Sequence, residues 1–298
     1  MNSLHKRAKI ADKTATAVLY AVAGFFLILL AAFTIYILYR GAVAFKPEYL
    51  SFTRQGIGVQ FFNTIYLVFL SLLISVPIGV AAGIYMAEYA GNGRMTHFLR
   101  TCIETLASLP SIVVGLFGYL VFLVMTGLHW NLLAGALAVS ILNIPSLTTV
   151  TEDALQGVPE LYREGSLGLG ATHWQTITGV LLPAALPRIM TGVIMAAGRG
   201  FGEAAALLFT AGMSSDVNFS NWNPFSPNSP LNAMRPADTL AVHIWALKTE
   251  GVDANATQLS DLSSAVLILL VFAFSLGSRR IGSRLEQKLT GGRQKGEK

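Results

Sequence analysis

Charge is what this sequence has least of. Only 12% of its 298 residues are Asp, Glu, Lys or Arg, against roughly 25% in an ordinary soluble domain. Cysteine is nearly missing as well. Cys102 stands alone, which excludes an internal disulfide framework. The five histidines are scattered and make no ligand cluster. His-Glu-x-x-His does not occur, no Asp falls inside a long apolar run, and no serine in such a run has a histidine partner beside it. Intramembrane metallo-, aspartyl and serine proteases are disfavoured on these grounds. Also missing is Gly-x-x-x-x-Gly-Lys-Ser/Thr, whose amides and lysine cradle phosphates. The chain therefore brings no ATPase of its own. What it has is 53% apolar residues and a mean hydropathy of +0.56. That composition describes an all-α, polytopic membrane protein.

The apolar runs predict six membrane-crossing helices. The first covers about residues 17–39; aromatic and basic residues follow it where a cleavable signal peptide would have small ones. The second covers about 62–86. No charged residue occurs between Glu104 and Glu152, a stretch of about 70 Å if it were one helix, against a hydrocarbon core of about 30 Å. It must turn back, and Thr126 to Asn131 is the natural place. Helices near 106–125 and 132–150 result. A fifth is expected at about 187–211 and a sixth at about 259–278. In this topology the cytoplasmic segments hold 15 of the 21 basic residues, so both termini lie inside. The N-terminal cluster His5, Lys6, Arg7, Lys9 and Lys13 and the tail residues Arg279, Arg280, Arg284, Lys288, Arg293, Lys295 and Lys298 are read as membrane anchors. The net charge of +5 thus needs no nucleic-acid partner.

Three segments follow: residues 1–55 with the first helix, a membrane-spanning core at 56–280, and a basic tail at 281–298. Within the core, 151–186 is a cytoplasmic loop and 212–258 an external one. In the latter, Asp238–Glu250 has apolar residues at helical spacing. A surface amphipathic helix and an ordinary packed loop helix are equally open for it. Pro77, Pro110, Pro145 and the pair Gly79 and Gly83 are read as kinks and close-packing points.

The cytoplasmic loop carries the most information. Pro159 and Glu160 open a short helix, since proline suits a first turn. Gly168 and Gly170 permit positive φ and a sharp reversal. A second short helix from His173 should end near Pro183. Two short helices joined by glycine form a rigid knob that fits a groove in another protein. Residues 164–183 also resemble the loop of ABC-importer permeases, written Glu-Ala-Ala, three residues, Gly, nine residues, Ile, any residue, Leu-Pro. Glu164, Gly170, Leu182 and Pro183 match in register; Gly165, Ser166 and Val180 depart from it. The resemblance implies a type I ABC-importer permease fold and a knob that docks on a separate ATP-hydrolysing subunit. Glu164, Gly168, Gly170, Leu182 and Pro183 would carry that coupling.

One basic residue, Arg199, falls inside an expected span. A charge at that depth costs about 2.5–3.5 kcal/mol and marks a functional position by default. Glu203 is four residues on, one turn away on the same face of a continuous helix. Gly198, Gly202 and Ala206 would form a small-residue column beside them. A structural pair and a substrate contact both fit. A guanidinium matches the paired oxygens of a tetrahedral oxyanion, and a protonated phosphate can donate to Glu203 whereas sulfate cannot. The run from Gly198 to Thr210 resembles a segment of phosphate permeases. Ala204 and Ala206 replace that segment's threonine and proline. Asn63-Thr64, the stretch Leu109 to Leu116, and Asp238 to Val242 are similar to that family too.

The resemblance implies import of inorganic phosphate across a bacterial inner membrane, with Arg199 and Glu203 on the path and no catalytic or metal-ligating residue. It implies as partners a homologous C-type permease, two ATPase copies using ATP and magnesium, a periplasmic phosphate-binding protein, and lipid. Permeases for sulfate, phosphonate or polyamine, and a secondary transporter, remain as alternatives.

Overall fold

The structure is a computed structural model that describes residues 2–53, 56–91, 93–251 and 255–289. Arg54, Arg293, Lys295 and Lys298 lie outside the described residues, as do the side chains of His5, Lys6, Arg7 and Lys288. Among the described residues there are helices and no strands.

Five helical stretches are long and apolar enough to cross a membrane: Lys9–Ala44, Gly58–Glu88, Leu132–Gln156, His173–Gly202 and Ala256–Arg280. They belong to α1 (Asn2–Ala44), α2 (Gly58–Glu88), α5 (Leu132–Gln156), the continuous run α7–α8, and α11 (Ala256–Leu289). A sixth crossing, if it is one, is a bent pair. α3 (Arg94–Ser108) and α4 (Ser111–Gly118, extended by a π-turn to Val124) meet at 101°. The expected straight helix near 106–125 is therefore corrected. Leu109, preceding Pro110, is extended at ψ 134°, because the proline ring disfavours the helical region for the residue before it.

The centre of the molecule is the parallel pair α2 and α5. A side-chain carbon at Gly79 would lie 2.6 Å from Leu147 Cβ, and one at Gly83 2.4 Å from Thr151 Cβ. Ser140 Oγ donates to the Ser71 carbonyl at 3.0 Å. These glycines let the two backbones approach, which is how helices associate where no water drives burial. Leu67, Val139, Leu207 and Val242 close one end of the core; Leu155, Ile177, Leu181 and Ile189 close the other. α1 packs along α11, where Gly41 faces Ala265 and Arg40 meets Asp261 at 2.8 Å.

The expected fifth helix changes most. Its helix begins not at 187 but at α7 (His173–Thr176), passes through a π-turn at Ile177–Leu181, and continues as α8 (Leu182–Gly202). Pro183 therefore does not stop it: proline is tolerated in the first turn of α8, and the preceding π-turn accommodates its missing N–H. The helix then breaks at Glu203, extended at φ −72°, ψ 124°, before the short α9 (Ala205–Thr210).

Opposite the knob, residues 212–239 fold back over the helix ends. α10 (Leu240–Thr249) starts at a Thr239 cap and buries Leu240, Ala241 and Val242 against α2 and α11. Of the two readings left open for this segment, the packed loop helix is the observed one.

Candidate functional site

Two places draw together the residues singled out in the sequence. The first is the break after α8. Arg199 lies in the last turn of that helix, exposed on the surface of the chain. Its Nη1 donates to the Leu142 carbonyl at 2.9 Å. Leu142 is ten residues into the 25-residue α5, near the middle of that helix. Pro145, inside α5, lacks the N–H that would bond the Ile141 carbonyl, one residue before Leu142. Arg199 thus lies against the middle of α5, at the end of α8 and not at a helix centre.

Glu203 is not one helical turn beyond Arg199, because the helix has ended. Its Oε1 accepts from the Ala206 amide at 3.1 Å, so the carboxylate caps the start of α9, where an anion suits the exposed N–H groups. Among the described residues no ion pair joins Arg199 to Glu203. The small-residue column is broken too. Ala206 packs against Gly115 of α4, whereas Gly198 and Gly202 face open space.

The second place is the knob. α6 (Glu160–Gly168) is followed by Gly170 at φ +86° and then by α7. Gly170 makes the expected reversal; Gly168 does not have positive φ and simply ends α6. A capping box fixes the start of α7, with Thr172 Oγ1 accepting from Gln175 N and Gln175 Oε1 accepting from Thr172 N. Glu164 is exposed and, among the described residues, has no ion pair. Leu161, Tyr162 and Trp174 are exposed beside it, and Leu169 at the tip is 91% exposed. Leu182 and Pro183 are half-buried at the root, in the first turn of α8, so they are not part of the exposed surface.

Sequence reasoning missed how the knob is held. Glu88, at the end of α2, pairs with Arg163 at 2.6 Å and with His173 at 3.3 Å. Burial alone would lower the pKa of the Arg163 guanidinium; its bonds to Glu160 and Glu88 outweigh that and hold it above its ordinary value. No spacing signal could reveal a contact across 75 residues. A lone acid ending an apolar run was the only clue.

A buried polar cluster at the opposite end was missed as well. Arg235, 3% exposed, is caged by the Ser229, Pro230 and Pro236 carbonyls and by Asn63 Oδ1. Burial pushes its pKa down to about 10, with Tyr66 opposing. Asp238 accepts from Gln60 Nε2 at 3.2 Å and lies 2.9 Å from His243 Nδ1. Burial pushes its pKa up, against the pull of His243 and Gln60.

Residues 79–291 match the family model described as the inner membrane component of binding-protein-dependent transport systems. The chain belongs to that family. It is a multi-pass ABC-importer permease, the transmembrane part of such a system and not its ATPase. It is 45% identical over 95% of its length to a probable ABC transporter permease, YqgI of Bacillus subtilis, covering 98% of that protein. It is also 37% identical to the phosphate transport system permease protein PstA of Xylella fastidiosa, over 53% of this chain and 55% of that one. Its fold is similar to a subunit of a bacterial alginate ABC transporter solved in complex with a pentasaccharide-bound periplasmic protein. The TM-score is 0.64 at 17% identity, with 93% of this chain and 96% of that one covered. A subunit of the inward-facing methionine transporter MetNI gives 0.55 at 19% identity, over 78% and 94% of the two chains.

Proposed function

We propose that this chain is one permease subunit of an ATP-driven importer of inorganic phosphate. The observation that carries the reading is Arg199: an exposed guanidinium against the middle of α5, beside a helix break, on a surface that a second permease would complete. Such a group presents paired donors to a tetrahedral oxyanion. Glu203, half-buried and directly following the last residue of α8, keeps one carboxylate oxygen free of protein partners among the described residues. A monoprotonated phosphate can donate to it; fully ionised sulfate is repelled. The phosphate permeases among its relatives support the same substrate. In this reading the partners are a C-type permease, two ATPase copies that bind ATP and magnesium, and a periplasmic phosphate-binding protein.

The knob at 151–186 then faces the cytoplasm and seats on the ATPase through the exposed surface around Glu164, Leu169 and Trp174. Gly168, Gly170, Leu182 and Pro183 shape and root it. The core at 56–280 spans a bacterial inner membrane with both termini inside, and the loop at 212–258 meets the binding protein's side. The test is uptake of labelled phosphate in cells lacking and regaining the gene, with sulfate and phosphonate as competitors. Restored uptake blocked by neither competitor is the expected result. Uptake restored for another anion, and not for phosphate, would refute the substrate.

A further inference from the structure

One carboxylate holds both arms of the knob. Glu88 is the last residue of α2, and its side chain is 2% exposed. Oε1 accepts from Arg163 Nη2 on α6 at 2.6 Å. Oε2 lies 3.3 Å from His173 Nε2 on α7. The reversal at Gly170 falls between these two contacts. The neighbouring Tyr89 ring meets the His173 ring edge-on at 5.1 Å, and a Ser166–Thr176 hydroxyl contact of 2.9 Å joins the arms directly.

Apolar contacts also join α2 to the root, through Ile84 and Ala87 against the cluster containing Ile177 and Leu181. Such contacts are non-directional and permit sliding. Charge-assisted bonds fix geometry as well as adding energy, and a buried carboxylate is retained only when it is paired. Two such contacts from one rigid group make the arms a single body with the end of α2. At its other end α2 carries Gln60 and Asn63, which bond to the Arg235–Asp238 segment. A displacement of the knob therefore has a direct mechanical route along α2.

We propose that Glu88 is a positioning residue for energy coupling, clamping both arms of the knob to α2 so that knob movement is transmitted and not absorbed at the Gly170 reversal. This rests on the reading that the knob docks on the ATPase subunit. The test uses the full importer complex with Glu88→Gln, and reads amide hydrogen exchange over residues 160–176 together with labelled inorganic phosphate transported per ATP hydrolysed. Glu88→Gln removes the charge from both contacts at once while Arg163 keeps its Glu160 partner, and charge-assisted bonds are the stronger ones, so we expect faster exchange across the knob and at least about a tenfold loss of transport per ATP, with the ATPase subunit still bound. Unchanged exchange, or unchanged transport per ATP, overturns the clamp. Should Glu88→Gln shed the ATPase subunit, His173→Ala decides, since it releases one arm and leaves the Glu88–Arg163 pair in place: faster exchange over residues 173–176 with lost transport per ATP upholds the clamp, and unchanged transport per ATP overturns it. The docking reading fails separately, if Leu169→Asp at the tip leaves subunit binding and coupling intact.

Discussion

Glu203 combines two jobs that substitution can separate. Its Oε1 caps the Ala206 amide, and a glutamine carbonyl can accept that same bond, so Glu203→Gln removes the charge while sparing the cap. The expected outcome is lost phosphate uptake and relaxed discrimination against sulfate, measured as the ratio of uptake rates in a reconstituted importer whose binding protein accepts both ions. An unchanged ratio would leave Glu203 as a cap alone. Gly83 tests packing at the same scale. A β-carbon there would overlap Thr151 Cβ at 2.4 Å, so Gly83→Val should force α2 and α5 apart, with overpacking costing about 1–3 kcal/mol. The readout is a lowered Tm of the purified complex; an unchanged Tm would contradict the close approach. Arg199 was legible in the sequence because a charge in an apolar run is expensive. Its true partner was not: the Leu142 carbonyl is 57 residues away in the sequence, and backbone acceptors leave no trace in side-chain spacing.

Helix ends were the least legible elements, and for identifiable reasons. Pro183 looked like a stop, yet a first-turn proline costs a helix little, and the π-turn at Ile177–Leu181 carries the chain past it. Glu203 looked like a mid-helix residue, since no sequence rule marks a break capped by the residue's own side chain. The reversal at Gly170 was legible because positive φ is nearly a glycine property, and φ is +86° there. Gly170→Asp should strain it by about 1–2 kcal/mol and tilt the knob, so that less ATPase subunit co-purifies; undiminished recovery with normal uptake would contradict the docking surface. The segment covering the far helix ends has its own signature in pH. Burial raises the Asp238 pKa above its unfolded value, so the folded state binds more protons in that window. Its stabilisation is full below the unfolded pKa and is lost as pH rises through the folded one. Wild type should therefore lose Tm over that interval more steeply than Asp238→Asn. Equal slopes would contradict a buried, proton-holding carboxylate.

Across the whole molecule, three polar contacts sit along one parallel helix pair: the Glu88 contacts at the knob, Arg199 on the Leu142 carbonyl near the middle of α5, and the Arg235–Asp238 cluster at the far end. The architecture was legible because long uncharged runs must cross a membrane. The substrate was less so, since the fold is similar to chains from alginate and methionine transporters alike, and fold does not fix function. The account turns on Arg199 as the residue that meets the transported anion. The most direct measurement is labelled-phosphate uptake by proteoliposomes containing the assembled importer, internal ATP and an external phosphate-loaded binding protein, comparing wild type with Arg199→Gln. The account predicts that the variant assembles with its partner permease and ATPase as wild type does but transports no phosphate. Normal transport by Arg199→Gln, or loss of the assembled complex in its place, would contradict it.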